Sequence, residues 1–543
     1  MRYGIALDIG TSGFRCQALD LDTKETVATA ITARHPIPGM NVIDHVNFAI
    51  RSGADVGNRL ILATVNNLFG MLGVDLDKVE TVAVCGNPFQ LSLFQNIEIR
   101  DLAYAGKSML RDLGVVSPDR SGNVLEAMEL GLFSVPNAKV IIPPAVTHEI
   151  GADAIAMLLV TGVLDKNETA IVVDYGTNAE MALVKDGEVF TGSAAAGPAL
   201  EGQQIERGML ASTGALSDVD PDGEGWVCHV LDPTLAPRAG DTVDPRTGDI
   251  IGKGEMHGKA RGITGTGVVA ALSCGIDDGV VGTMGIDTPD GMIHLQDGIK
   301  ISRRDVDEAG KAIGALRTGF LTLMLEAGVW VDDVKTAYMS GASGLYVDAN
   351  KAKSIGMVTP GAERIIQFGN TSIVLARRLV LGETTLEELR TFAEKLLAKH
   401  CMFATSEDFK NIYSVELSYW CYGMPMSEYN NMLDISGIPP IPLEPSKAEV
   451  ERMVIRDLPD IDEDRGVTIM EAPGVLLTGQ IDGCTYCGIC RDRCPETALM
   501  LSEEGDGIVA HVRSDLCAGT ACRRCENDCP EKVFSFDSLR IGS

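Results

Sequence analysis

The sequence predicts an α/β protein with a duplicated core, followed by a small α+β domain. Two observations predict it. An apolar strand ending in Asp-x-Gly-Thr recurs about 166 residues further on, and eight of the 14 cysteines fall within residues 484–529 of a 543-residue chain. A chain of this length exceeds what one hydrophobic core organises, so two to four domains are expected.

The first copy of the repeat is Ile5-Ala6-Leu7-Asp8-Ile9-Gly10-Thr11-Ser12-Gly13-Phe14-Arg15, and the second is Ile171-Val172-Val173-Asp174-Tyr175-Gly176-Thr177-Asn178-Ala179-Glu180. Each reads as a strand, a tight turn and a returning strand. Small residues in such a turn expose backbone N–H groups in a concavity suited to phosphate oxygens. Gly10, Thr11, Ser12, Gly176, Thr177 and Asn178 are therefore candidate phosphate binders, and Asp8 and Asp174 candidate catalytic carboxylates that organise Mg²⁺. One such hairpin is commonly a plain turn. Two in register indicate two halves of one α/β domain, with ATP expected in the cleft between them. This is the pattern of the actin, sugar-kinase and Hsp70-like ATPase superfamily.

A third element fits the adenosine motif of that superfamily. Ala337-Tyr338-Met339-Ser340-Gly341-Ala342-Ser343-Gly344 follows an apolar strand, and Gly341 and Gly344 let backbone approach a flat ring. Upstream, Ser302-Arg303-Arg304-Asp305 has capping-box form and opens a run with Val306, Ala309, Ile313, Leu316, Phe320 and Leu323 at helical spacing, a core-packing stripe. The run from Gly262 to Gly267 either begins a helix connecting the halves or serves as a hinge. Glu201 and Glu206 either reach the nucleotide or are solvated turn carboxylates, the commoner case.

The first cysteine motif is Cys484-x2-Cys487-x2-Cys490-x3-Cys494-Pro495, the spacing of bacterial ferredoxins. The second, Cys517-x4-Cys522-x2-Cys525-x3-Cys529-Pro530, carries two extra residues in its first gap. In two-cluster ferredoxins the fourth cysteine of each run serves the other cluster. One [4Fe–4S] cluster is then expected on Cys484, Cys487, Cys490 and Cys529, and the other on Cys494, Cys517, Cys522 and Cys525. Pro495 fits the first turn of a short helix. Zinc is the competing reading, though it rarely uses four thiolates in this Cys-Pro-terminated order. The six other cysteines (Cys16, Cys85, Cys228, Cys274, Cys401, Cys421) share no ligand spacing and read as small buried hydrophobes.

Ile438-Pro439-Pro440-Ile441-Pro442-Leu443-Glu444-Pro445 is expected to be extended and to mark a boundary. The expected organisation is an ATPase region over 1–437, with halves at about 1–165 and 166–437, a linker and lead-in over 438–475, and the ferredoxin-like domain over 476–543. The net charge of −30 argues against nucleic acid or an anionic membrane surface as partner. No secretory signal pattern opens the chain and no membrane-spanning run is present, so a cytoplasmic location is expected.

With these pieces in place the chain resembles the ATP-dependent reductive activators of corrinoid proteins. Besides the motifs above, the resemblance rests on Cys85-Gly86-Asn87-Pro88-Phe89, on Gly151-Ala152-Asp153-Ala154 and on Gly197-Pro198-Ala199-Leu200-Glu201-Gly202. Many relatives carry an N-terminal [2Fe–2S] domain, whereas this chain starts with the ATPase and ends in the two-cluster unit, as the methylamine subgroup does. The resemblance implies a corrinoid protein as partner, its cobalt returned from Co(II) to Co(I), and a low-potential electron donor. Rival readings are an ATP-driven donor to a dehydratase or reductase, a small-molecule kinase with a redox-sensing tail, and a non-catalytic module in which nucleotide only gates docking.

Overall fold

Tyr3–Ile9 (β1) is buried along its whole length, as a central strand covered on both faces must be. It pairs antiparallel with Phe14–Asp20 (β2), which pairs antiparallel with Thr26–Thr32 (β3). On its other edge β1 runs parallel to Val79–Gly86 (β4), which runs parallel to Lys139–Ile142. The sheet belongs to the first of two compact units in this computed structural model, comprising residues 1–156, 372–394 and 460–543; the second comprises 157–371 and 395–459. The structure describes all residues except 40, 105–106, 146–150, 177, 195–203, 398, 462–465, 495, 506 and 542–543, together with the side chains of 107, 397 and 521.

The second unit repeats this topology. Ala170–Tyr175 pairs antiparallel with Ala179–Lys185, which pairs antiparallel with Glu188–Ala194. On the other edge Ala170–Tyr175 runs parallel to Thr336–Ser340, followed by Arg364–Gln367. Both sheets thus place three antiparallel strands beside parallel ones, the duplication that the repeated hairpin predicts. A five-stranded sheet from residues 215–263 is added to the second unit.

The predicted helix is Arg303–Ala327, closed by a capping box between Ser302 and Asp305, and all six stripe residues are buried. It lies close against Glu407–Tyr422: a Cβ on Gly310 would fall 2.6 Å from Trp420, and one on Gly314 would fall 2.9 Å from Glu416. At this crossing Arg317 donates to both carboxylate oxygens of Glu416 at 2.6 and 2.7 Å, and the Tyr429 hydroxyl donates to Glu416 at 2.6 Å. The run from Gly262 resolves into a helix, Gly265–Asp277, N-capped by Thr264 and lying within the second unit.

Residues 438–475 differ from a free linker. Ile438 and Ile441 are each 4% exposed in the core of the second unit, and Trp330 Nε1 donates to the Pro440 carbonyl at 3.0 Å. Glu449–Arg452 then extends the second sheet beside Arg364–Gln367, and Val467–Met470 extends the first beside β3. Extended backbone pairs readily with an unsatisfied sheet edge. The helix Thr371–Val380 likewise serves the first unit, where Arg377 donates to Gln17 and reaches Thr26 and Asp460.

In the cysteine-rich tail, Leu499–Glu504, Gly507–Arg513, Leu476–Gln480 and Arg540–Ile541 form a four-stranded antiparallel sheet with short helices. The tail belongs to the first unit and is pinned to its body. Ser514 Oγ donates to the Pro36 carbonyl at 2.6 Å, Arg51 pairs with Asp537 at 2.7 Å, and the Gly39 N–H donates to the Cys517 carbonyl at 2.9 Å.

Candidate functional site

In the first unit the Asp-x-Gly-Thr turn closes by paired backbone hydrogen bonds, Gly10 N–H to Gly13 O at 3.2 Å and Gly13 N–H to Gly10 O at 3.3 Å. Asp8 is the penultimate residue of β1, is 5% exposed and lies 3.9 Å from the Arg15 guanidinium. The Cys85-Gly86-Asn87-Pro88 run has a direct structural role here. Gly86 ends β4 with no room for a Cβ, which would meet the Ile9 carbonyl at 2.7 Å. Asn87 caps the helix Pro88–Gln95 through the Gln90 N–H, and its Nδ2 donates to Thr11 Oγ1 at 3.2 Å.

Gly151 approaches the same place, since a Cβ there would lie 2.6 Å from the Pro88 ring. It delivers Asp153, which sequence reading did not select as a site residue. Burial, with the nearby Asp8 carboxylate acting in the same direction, pushes Asp153 up to about 6. A carboxyl poised so near neutrality beside a second carboxylate is a common feature of functional sites. Its only sequence signal is the Gly-Ala-Asp-Ala run.

In the second unit Asp174 and Tyr175 end the equivalent strand, and Gly176 N–H donates to Asn178 O at 3.1 Å across the turn. The structure brings Gly341 and Gly344 to this turn. A Cβ on Gly341, whose φ is +80°, would fall 2.5 Å from Asp174 Oδ1, and one on Gly344 would fall 3.0 Å from the Tyr175 ring. Only glycine permits both the left-handed backbone and that approach. Thr177, Glu201 and the run 197–202 lie outside the described residues, as does Pro495. Glu206 is exposed, and its backbone N–H donates to Asp305 at 2.8 Å.

The tail brings its thiols close together in two places. Cys484, Cys487, Cys490 and Cys529 line one recess of about 340 Å³, including the space at its mouth, with apolar walls from Ile481, Leu501, Val533 and Phe534. Burial pushes the Cys490 thiol up, and Cys484, Cys529 and Cys487 act on it in the same direction. Burial also acts to raise Cys529, but the backbone N–H groups of residues 531–534 outweigh it and lower that thiol. In the other set, burial pushes Cys517 up to about 12, with Cys494 and Cys522 contributing, and Cys525 up to about 12, with Cys517 and Cys522 contributing.

Sulfur atoms also receive backbone hydrogen bonds, from Tyr486 to Cys484 at 3.4 Å, Ala498 to Cys494 at 3.3 Å and Gly519 to Cys517 at 3.4 Å. Among the described residues, no three His, Cys, Asp or Glu side chains converge on a single-ion position. Thiols ringing a recess, with N–H groups directed at sulfur, fit an iron–sulfur cube. Of the six other cysteines, Cys16, Cys85, Cys228 and Cys274 are buried, while Cys401 and Cys421 pack against the core of the second unit.

Behind the first hairpin lie two buried imidazoles, His35 and His45, stacked with centroids 4.1 Å apart. Burial holds both neutral, His35 well below the usual histidine range and His45 at about 4. The unfolded chain takes up protons as pH falls through about 6.5, whereas folded His45 resists until about 4. His45 is therefore expected to cost the fold roughly 3 kcal/mol across that window. Urea unfolding followed from pH 7 to pH 4.5 measures the loss, and His45→Phe should remove its share while leaving that of His35.

Comparison with known proteins agrees with this architecture. The chain matches a family described as the C-terminal domain of RACo, the ASKHA domain, over residues 168–430, and the RACo middle region over residues 3–166. Fold and hairpins thus define an ASKHA-type protein. The chain is 47% identical over 520 residues, covering 96% of both chains, to the Co(II) methylated amine-specific corrinoid protein reductase of Methanosarcina barkeri. It belongs to the family of corrinoid reductive activators. A second relative, the corrinoid activation enzyme RamQ of Eubacterium limosum, is 25% identical over 66% of this chain and 60% of its own length. A solved reductive activator for a corrinoid, iron–sulfur protein shares the fold, with a TM-score of 0.58 and 21% identity over 77% of this chain and 66% of that one.

Proposed function

We propose that this chain couples ATP hydrolysis to the one-electron reduction of cobalt in a partner corrinoid protein, from inactive Co(II) to Co(I), in methylamine methyltransferase systems of methane-forming metabolism. The observation that carries the reading is a redox tail and a phosphate-type hairpin built into one compact unit, in a chain 47% identical to a corrinoid protein reductase. Among the described residues, no helix is long and apolar enough to cross a membrane. We assign the protein to the cytoplasm, where a low-potential donor supplies its electrons.

Two [4Fe–4S] clusters, on Cys484, Cys487, Cys490 and Cys529 and on Cys494, Cys517, Cys522 and Cys525, supply one-electron transfer when bound. N–H groups of the tail stabilise the thiolates, and its apolar walls limit the access of water. Asp8 and Asp174 organise Mg²⁺. Gly10, Thr11, Ser12, Gly176, Thr177 and Asn178 bind phosphate, and Gly341 and Gly344 bind the adenosine side of ATP. Each ~59 mV of one-electron deficit amounts to ~1.4 kcal/mol, so a strongly reducing acceptor requires several kcal/mol. Nucleotide provides this only through different affinities for two conformations of the chain.

The test is ATP turnover by the iron-loaded protein under anaerobic conditions, with and without a Co(II) corrinoid protein. Turnover should rise at least about tenfold with the partner, within the ordinary range of about 5–150-fold for coupling between sites. Phosphoryl transfer to a small molecule in the absence of the partner would instead indicate a kinase.

A further inference from the structure

Between the first hairpin and the second cysteine set, the first unit contains a continuous line of polar contacts that the ATPase reading leaves without a role. Asn87, which donates to Thr11, caps the helix carrying Gln90. The Gln90 side chain is fully buried between the two imidazoles: its Nε2 donates to His45 Nδ1 at 2.7 Å, and its Oε1 accepts from His35 Nε2 at 3.3 Å. The tautomers follow from the neighbours. Ile37 N–H donates to His35 Nδ1, leaving the proton on Nε2, and His45, accepting at Nδ1, directs Nε2–H to the Gly39 carbonyl at 3.4 Å.

Gly39 is the point at which this line reaches the tail. Its N–H donates to the Cys517 carbonyl, and a Cβ on Gly519 would lie 2.9 Å from Gly39 Cα. Gly519 in turn donates its N–H to Cys517 Sγ. Beside it, Thr520 donates to Asp44 at 3.1 Å and accepts from Asn47 at 3.3 Å. Every ring nitrogen and both Gln90 amide atoms have partners, and the backbones touch. A shift of Asn87 therefore has no slack in which to be absorbed.

We propose that Gln90 and His45 are positioning residues that transmit the state of the Thr11 loop to the turn carrying Cys517, so that nucleotide at the first hairpin alters the surroundings of the group held by the second cysteine set. Hydrogen bonds to sulfur and solvent exposure set the potential of such groups, and the Gly519 N–H lies within that turn. The inference rests on the reading of Thr11 as a phosphate contact and of Cys517 as a ligand. By linkage, the coupling appears equally as a different ATP affinity in the oxidised and reduced protein.

The experiment measures Mg-ATP affinity of the iron-loaded chain in both oxidation states, together with its electron paramagnetic resonance spectrum with and without nucleotide. Wild type should show unequal affinities and a spectrum altered by ATP. Gln90→Met should retain iron and ATP binding while the affinity ratio falls by about 2- to 30-fold. Thr520→Val, at the half-buried far end, tests the same link without touching the core, and decides alone if Gln90→Met does not fold. A wild type that binds no ATP or holds no iron overturns the functional reading itself. If both are bound but affinities are equal in the two states, or if the variants keep the wild-type ratio, the relay is wrong.

Discussion

Asp8→Ala is expected to lower ATP-driven formation of Co(I) by about 10²–10³-fold or more, the scale on which removal of one preorganised electrostatic group acts. Asp8 is 5% exposed near the end of β1, with Arg15 and the Gly10–Gly13 turn beside it, and the cysteine sets lie on other elements of the same unit. Iron content and the visible spectrum should therefore be unchanged. Asp174→Ala should act in the same way through the second hairpin. Losing the Asp8 charge also removes one of the causes raising Asp153, whose pKa should fall below about 6 in the variant. Stopped-flow measurement of cobalt reduction and iron analysis of the same samples check these outcomes. Unchanged reduction rates would overturn the assignment.

The largest effect on stability is expected at Glu416. Its carboxylate is fully buried and accepts from both Arg317 and Tyr429, while Tyr419 and Tyr429 each hold a ring about 5.1 Å from the Arg317 guanidinium. Desolvation acts against that cation, but Glu416 together with Tyr429 and Tyr419 outweighs it and raises Arg317 above its ordinary value. Glu416→Ala leaves a buried guanidinium without its partner, at a cost of ~3–5 kcal/mol. Glu416→Ala combined with Arg317→Met removes the stranded charge and should recover much of the loss. Chemical denaturation of the two variants decides it: equal stability of the single and double variants would show that the charge is not what matters.

What could be read from the sequence was local. Asp8-x-Gly10-Thr11 and its second copy each span only four residues, and the two cysteine runs span 11 and 13, so the hairpins and the strand duplication follow from short-range pattern. The capped helix at Ser302 was legible for the same reason. Asp153 was harder, because a lone aspartate after two small residues acquires meaning only when Gly151 closes on Pro88. His35, Gln90 and His45 lie up to 55 positions apart and resemble isolated core residues until the fold stacks them. The strands Glu449–Arg452 and Val467–Met470 were hidden by prolines and charge, since an edge strand is defined by the sheet that receives it. The five-stranded sheet over residues 215–263 is likewise a product of long-range pairing.

The most direct measurement mixes the iron-loaded protein, a chemical reductant and a corrinoid protein in the Co(II) state without oxygen, and follows the cobalt absorption bands with and without Mg-ATP. The account expects Co(I) bands to grow only when nucleotide is present. Equal growth in its absence would contradict the coupling of ATP to reduction on which the functional reading depends.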